Sequence, residues 1–166
     1  QGPRLGGTAT YAAITALRLG RQPGIVTRAA ADVESDPALH GLALHRLPSE
    51  VTTTFENRTA DGRRQQVLHV VAGPIGPEDV PPDWRAAPIV LLGPLAQELD
   101  PRLAGSFAGA LVGVAPQGWM RRWDAEGRVA PAAWADAAAV LPHTAALVLS
   151  VDDVAGDLAL VADYAA

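Results

Sequence analysis

From Thr8 to Leu19 the apolar positions fall at helical spacing, with Tyr11, Ile14 and Leu17 on one face and Gly20 as a stop. This predicts a short helix entered from Gly6-Gly7. Gly24-Ile25-Val26-Thr27-Arg28 then forms a short apolar strand, and Asp36-Pro37 offers a cap and a first-turn proline for another brief helix. Leu42–Leu47, Val51–Arg58 and Arg64–Val71 change the period. Their β-branched residues around Asp61-Gly62 predict a hairpin.

After a Pro-rich connection from Gly73 to Pro82 come three continuous apolar runs, Ile89–Leu92, Ala110–Ala115 and Ala145–Leu149. Such runs suit strands buried on both faces of a sheet. Between them, Asp100-Pro101 provides a cap and first-turn proline before Arg102–Phe107, and Pro131–Val140 is Ala-rich with Trp134 as an anchor. Alternating strands and helices predict an α/β fold, a parallel sheet flanked by helices with right-handed crossovers. The expectation is one domain over residues 1–166 with a small β excursion at about 42–71.

Composition narrows the class. The 166 residues carry a formal charge of −5 without a block of like charge, which gives no electrostatic reason to meet nucleic acid or an anionic membrane. Hydrophobic residues make up 49%, enough for a core, but Pro and Gly interrupt them too often for a span of about 20 apolar residues. The absence of cysteine excludes disulfides and thiolate chemistry and fits a reducing compartment, with the cytoplasm as the expected location. The sequence begins at Gln1 and shows no secretory pattern.

Four segments offer chemistry. Gly6-Gly7 before a helix allows close approach of a ligand to unpaired N–H groups, or simply a tight turn. It is neither a P-loop nor the three-glycine dinucleotide fingerprint, which argues against a dinucleotide-dependent oxidoreductase. Ser150-Val151-Asp152-Asp153 follows an apolar run, so its carboxylates lie at the carboxyl end of the sheet, where open α/β sheets bind ligands. Asp153 there can serve Mg²⁺ directly or through water, and the same residues also form a capping-box-like helix start. Pro116–Trp123 leaves another strand end with polar, cationic and aromatic groups, suited to a polar ring or a phosphate, or to covering the sheet edge. Period-two alternation puts Thr52, Thr54, Glu56 and Arg58 on one face of the hairpin and Thr53, Phe55 and Asn57 on the other. The four histidines show no metal-ligand spacing.

Gly6-Gly7-Thr8-Ala9-Thr10-Tyr11-Ala12-Ala13, then Leu19-Gly20 and Gly24–Arg28, resembles the paired glycine, small-residue helix, Leu-Gly stop and Val-rich strand of the ribokinase-like, or PfkB-type, carbohydrate kinases. The Thr52–Val71 hairpin is similar to the β lid of that family, and Ala145–Asp153 to the strand leading to its Asn-x-x-Glu motif. The resemblance implies a truncated ribokinase-like parallel sheet flanked by helices with a β lid. It implies ATP and Mg²⁺ as cofactors and a sugar or nucleoside hydroxyl as acceptor; the exposed β lid is, separately, a surface through which two copies can pair as a homodimer. The resemblance assigns substrate binding to Gly6, Gly7, Tyr11, Glu56, Asn57 and Gln117 and the metal to Asp153. Tyr11 stands where many members have Asn, and Ser150 and Asp153 replace the Asn and Glu of Asn-x-x-Glu, which argues for a divergent substrate.

The family's Gly-Ala-Gly-Asp segment, with its Asp base and anion hole, does not occur in the sequence. It is expected beyond Ala166, and an opening strand before Gln1, so the chain is read as a substrate-binding portion, inactive alone. The alternative from another class is a non-catalytic α/β module that binds a small ligand or dimerises.

Overall fold

The computed structural model describes residues 4–60 and 63–165, so the expected Asp61-Gly62 turn lies outside the described residues. Helix α1 spans Gly7–Arg18 and ends where the Leu19 N–H returns to the carbonyls of Thr15 and Ala16. Strand β1 (Gly24–Ala29) follows and pairs in parallel with β2 (Ala43–Pro48), Gly24 opposite Ala43. Between them, Asp36 caps a single 3₁₀ turn at Pro37–Leu39 by accepting the Ala38 N–H at 2.8 Å. Leu42–Leu47, expected within the β excursion, thus belongs to the parallel layer. Ala13, Ile25 and Leu39 form the small core beneath α1.

The excursion itself is the antiparallel pair β3 (Thr54–Ala60) and β4 (Arg63–Val70), with a register shift at Thr54/Phe55. A separate three-stranded parallel sheet is made by β5 (Ile89–Leu92), β6 (Leu111–Val114) and β9 (Ala146–Leu147), in that spatial order. One face presents Val90, Leu92, Val112, Val114 and Leu147 to the main core, with Leu103, Phe107, Trp119, Met120, Trp134 and Val140 packed against it. The opposite face is open, with Ile89, Leu91, Leu111 and Val148 between 42% and 69% exposed. The apolar runs therefore have one covered face among the described residues, where the sequence predicts two.

Three helical expectations change. Arg102–Phe107 is not an α-helix: Pro101–Gly105 winds as a 3₁₀ stretch, capped by Asp100, which accepts the Arg102 N–H at 2.8 Å. Pro131–Val140 is not one helix: β8 (Val129–Pro131) pairs with β7 (Arg121–Trp123), and only Ala137–Val140 is α-helical, as α2. Tertiary pairing overrides the propensity of the alanines. The Ala132 N–H is held by the Met120 carbonyl at 2.8 Å, and Trp134 stacks on Trp119 with centroids 5.6 Å apart. Ser150 likewise does not start a helix. Helix α3 is Leu158–Ala165, and Asp157 caps it by accepting from Ala159 N–H at 3.0 Å. No helix among the described residues is long and apolar enough to cross a membrane.

Candidate functional site at the carboxyl ends of the parallel strands

The segment after β5, Gly93–Glu98, turns sharply because Glu98 accepts hydrogen bonds from its own loop, from Leu95 N–H at 2.8 Å and Ala96 N–H at 2.5 Å. Against it sits the start of α1. Gly7 has φ +87°, and a Cβ there would lie 3.0 Å from Leu95 Cδ1, so the left-handed backbone and the close seat both require glycine. Thr10 Oγ1 donates back to the Gly6 carbonyl at 2.9 Å. Tyr11 remains 65% exposed on the outer turn of α1.

The segment after β6 reaches the same loop. Gly118 N–H donates to the Pro94 carbonyl at 3.0 Å, and a Cβ on Gly118 would stand 2.2 Å from the Pro94 carbonyl carbon. Three residues on, Arg121 turns its guanidinium between loop and hairpin. It donates to the Leu95 carbonyl at 3.4 Å and to Gln66 Oε1 at 2.9 Å, and lies 5.5 Å from the centre of the Phe55 ring. Gln66 in turn donates to Asn57 Oδ1 at 2.8 Å.

After β9, Asp153 completes the row of strand ends. Its Oδ1 accepts from Gln117 Nε2 and its Oδ2 from the Ser150 N–H, both at 2.8 Å, while Ser150 Oγ takes the Asp153 N–H at 3.3 Å. The reciprocal bonds of a capping box form here within a turn. Each carboxylate oxygen keeps a second lone pair. Among the described residues no group of three His, Asp or Glu side chains is set to hold a metal.

A chain of contacts therefore runs from Gly7 through Leu95 and Arg121 to Gln66 and Asn57, and Gln117 joins Asp153 beside it. Glu56 stands apart on the opposite face of the hairpin, bonded to Arg58 at 2.7 and 2.8 Å and to His69 at 3.0 Å. These donors, Arg58 first and then His69, hold its carboxyl down at about 2. Arg121 lies in the Pro116–Trp123 segment whose cationic and aromatic content stood out, but nothing local ranked it above Arg122. The role of Gln66 and of the Gly93–Glu98 loop carried no sequence signal. An open groove beside the hairpin, lined by His69, Val71, Trp123, Asp124 and Glu126, shares none of the residues of this set.

The parallel sheet, α1 entered from paired glycine and the projecting hairpin together define a ribokinase-like fold. Solved structures bear this out. A pyrophosphate-dependent kinase in the ribokinase family, complexed with a pyrophosphate analog and myo-inositol, superposes with a TM-score of 0.79 at 21% identity over 96% of this chain and 61% of that one. A variant that converts a pyrophosphate-dependent myo-inositol-1 kinase into a myo-inositol-3 kinase gives 0.82 at 20% identity, over 97% and 60%. A sulfate complex of a pyrophosphate-dependent kinase in the ribokinase family gives 0.71 at 21% identity, over 86% and 52%. The chain thus spans between half and three fifths of the length of these neighbours. No family model and no curated protein matches the sequence.

Proposed function

We infer that the chain is the acceptor-binding portion of a phosphotransferase that moves a phosphoryl group from a polyphosphate donor to a hydroxyl of a small polyol. The observation that carries this reading is the approach of Gly7, Leu95, Arg121, Gln117 and Asp153 at the carboxyl ends of parallel strands, with Asn57 of the hairpin joined to Arg121 through Gln66. A polyol needs several donors and acceptors fixed on rigid elements, and the fold's solved neighbours include one complexed with myo-inositol.

In this reading the backbone at Gly6-Gly7 and the hydroxyl of Tyr11 bind from the α1 side. Asn57 and Arg121 bind from the hairpin side, and Gln117 from the sheet. Glu56, on the hairpin face opposite Asn57 and held by Arg58 and His69, is left out of the acceptor set, and the hairpin is the surface through which two copies would pair as a homodimer. Of the donors, ATP follows from the family resemblance and pyrophosphate from the solved neighbours, so both are tested. Mg²⁺, bound through water at Asp153, would neutralise charge on the transferred phosphoryl group. Positioning of the hydroxyl is this chain's own contribution. The proton must pass to a base, and the Gly-Ala-Gly-Asp segment that would carry it is not among the 166 residues.

The test is titration calorimetry of the purified chain with myo-inositol, ribose and adenosine, with parallel assays of ATP and pyrophosphate consumption in Mg²⁺. Binding of one acceptor without turnover is expected, and Arg121→Ala should weaken it at least about tenfold, the size of one charged hydrogen bond. Turnover that co-elutes with the chain overturns the acceptor-portion reading, and failure to bind any of the three overturns the site.

A further inference from the structure

Gln97 is one of two non-glycine residues with positive φ among the described residues, at 59°. A left-handed backbone at a residue with a long side chain is sparsely populated, and such strain persists where the surroundings over-determine it. Here the surroundings are the strand ends. Glu98 fixes the preceding N–H groups, Gly118 N–H holds the Pro94 carbonyl, and the Gln97 carboxamide reaches across to donate to the Arg121 carbonyl. Arg121 answers from the other side, its guanidinium donating to the Leu95 carbonyl. The two segments clasp each other, backbone to side chain in both directions, and the guanidinium so held is the one that meets Phe55 and Gln66 of the hairpin.

We propose that Gln97 is a positioning residue of the acceptor site: its strained backbone and its amide donor fix the carbonyl of Arg121, and so aim the Arg121 guanidinium at the hydroxyls of a polyol. This rests on the function proposed above. The strain gives the idea a signature that a purely structural hydrogen bond lacks. Gln97→Gly removes the donor but accepts the positive φ freely, so binding should fall with no loss of stability. Gln97→Glu keeps size and strain but cannot donate, so it should lose binding without gaining stability.

The experiment uses the 166-residue chain with myo-inositol as probe, read by calorimetry, by thermal melts and by the ¹⁵Nε–H signal of Arg121. The expected result is a Gln97→Gly melting temperature equal to or above wild type, affinity for myo-inositol at least about tenfold weaker in both variants, and a shifted or broadened Arg121 Nε–H signal. Variants that bind as tightly as wild type overturn this inference alone. So does a Gln97→Gly melt that falls together with affinity, since that marks a structural bond only. A wild-type chain that binds no myo-inositol removes the acceptor reading, and the inference with it.

Discussion

Replacing Gly118 with alanine tests whether the two strand-end loops truly share their space. The new Cβ would stand 2.2 Å from the Pro94 carbonyl carbon and 2.4 Å from Leu95 N and the Pro94 oxygen, all backbone atoms that no rotamer change can move aside. To reach an ordinary carbon contact of about 3.5 Å, the Gly93–Glu98 loop must retreat by more than about 1 Å. That retreat breaks the 3.0 Å bond from Gly118 N–H to Pro94 and draws Leu95 from Arg121. Overpacking costs about 1–3 kcal/mol and the hydrogen bond about 1 more, so a loss of about 2–4 kcal/mol is expected. For a chain of this size that lowers the melting temperature by about 5–15 °C. Thermal and urea melts read the loss. Gly113→Ala is the control: on the open face of β6 its Cβ meets Leu91 Cδ1 at an ordinary 3.4 Å, and it should be neutral or slightly stabilising. A Gly118→Ala protein that melts with the control refutes the reasoning.

The stacked tryptophans should respond unequally. Trp119 Nε1 donates to the Leu99 carbonyl at 2.8 Å, whereas Trp134 Nε1 is buried with no partner among the described residues, so Trp119→Phe should cost about 1 kcal/mol more than Trp134→Phe in urea melts. Met120, 2% exposed in the main core, should cost about 2–5 kcal/mol as Met120→Ala, and a loss below 1 would mean that the core collapses around it. On the hairpin, carbon-detected titration of the Glu56 carboxyl should give a midpoint at about 2, and Arg58→Ala should raise it toward the ordinary carboxylate value. Because the folded value is depressed, the contribution of this group to stability is present above the unfolded value and fades as pH falls toward 2.

Much of this architecture is legible without coordinates. Continuous apolar runs marked β5, β6 and β9, and β-branched alternation marked the hairpin, because strand periodicity is a local property. Pro131–Val140 escaped because its alanines suit a helix, while its first residue closes a short hairpin with Arg121–Trp123 and Trp134 is drawn onto Trp119, choices that helix propensity does not record. The open face of the parallel sheet was equally invisible, since an apolar run records what a face is made of and not what covers it. At the candidate site, Gly6-Gly7 and Asp153 are legible through motif and strand-end position. The resemblance groups Glu56 with Asn57, its neighbour in sequence, but strand alternation sends the two side chains to opposite faces, Asn57 to Gln66 and Glu56 to His69. Arg121 and Gln97 are defined by contacts to loops more than 20 residues away, which a single sequence does not encode locally.

Amide chemical-shift mapping of the chain titrated with myo-inositol tests the central claim, that the acceptor site lies at the carboxyl ends of the parallel strands. The account predicts perturbations at Gly6, Gly7, Leu95, Gln117 and Arg121, extending to Asn57 and leaving Glu56 little changed. Perturbations confined to the groove at His69, Asp124 and Glu126, or the absence of any, would contradict it.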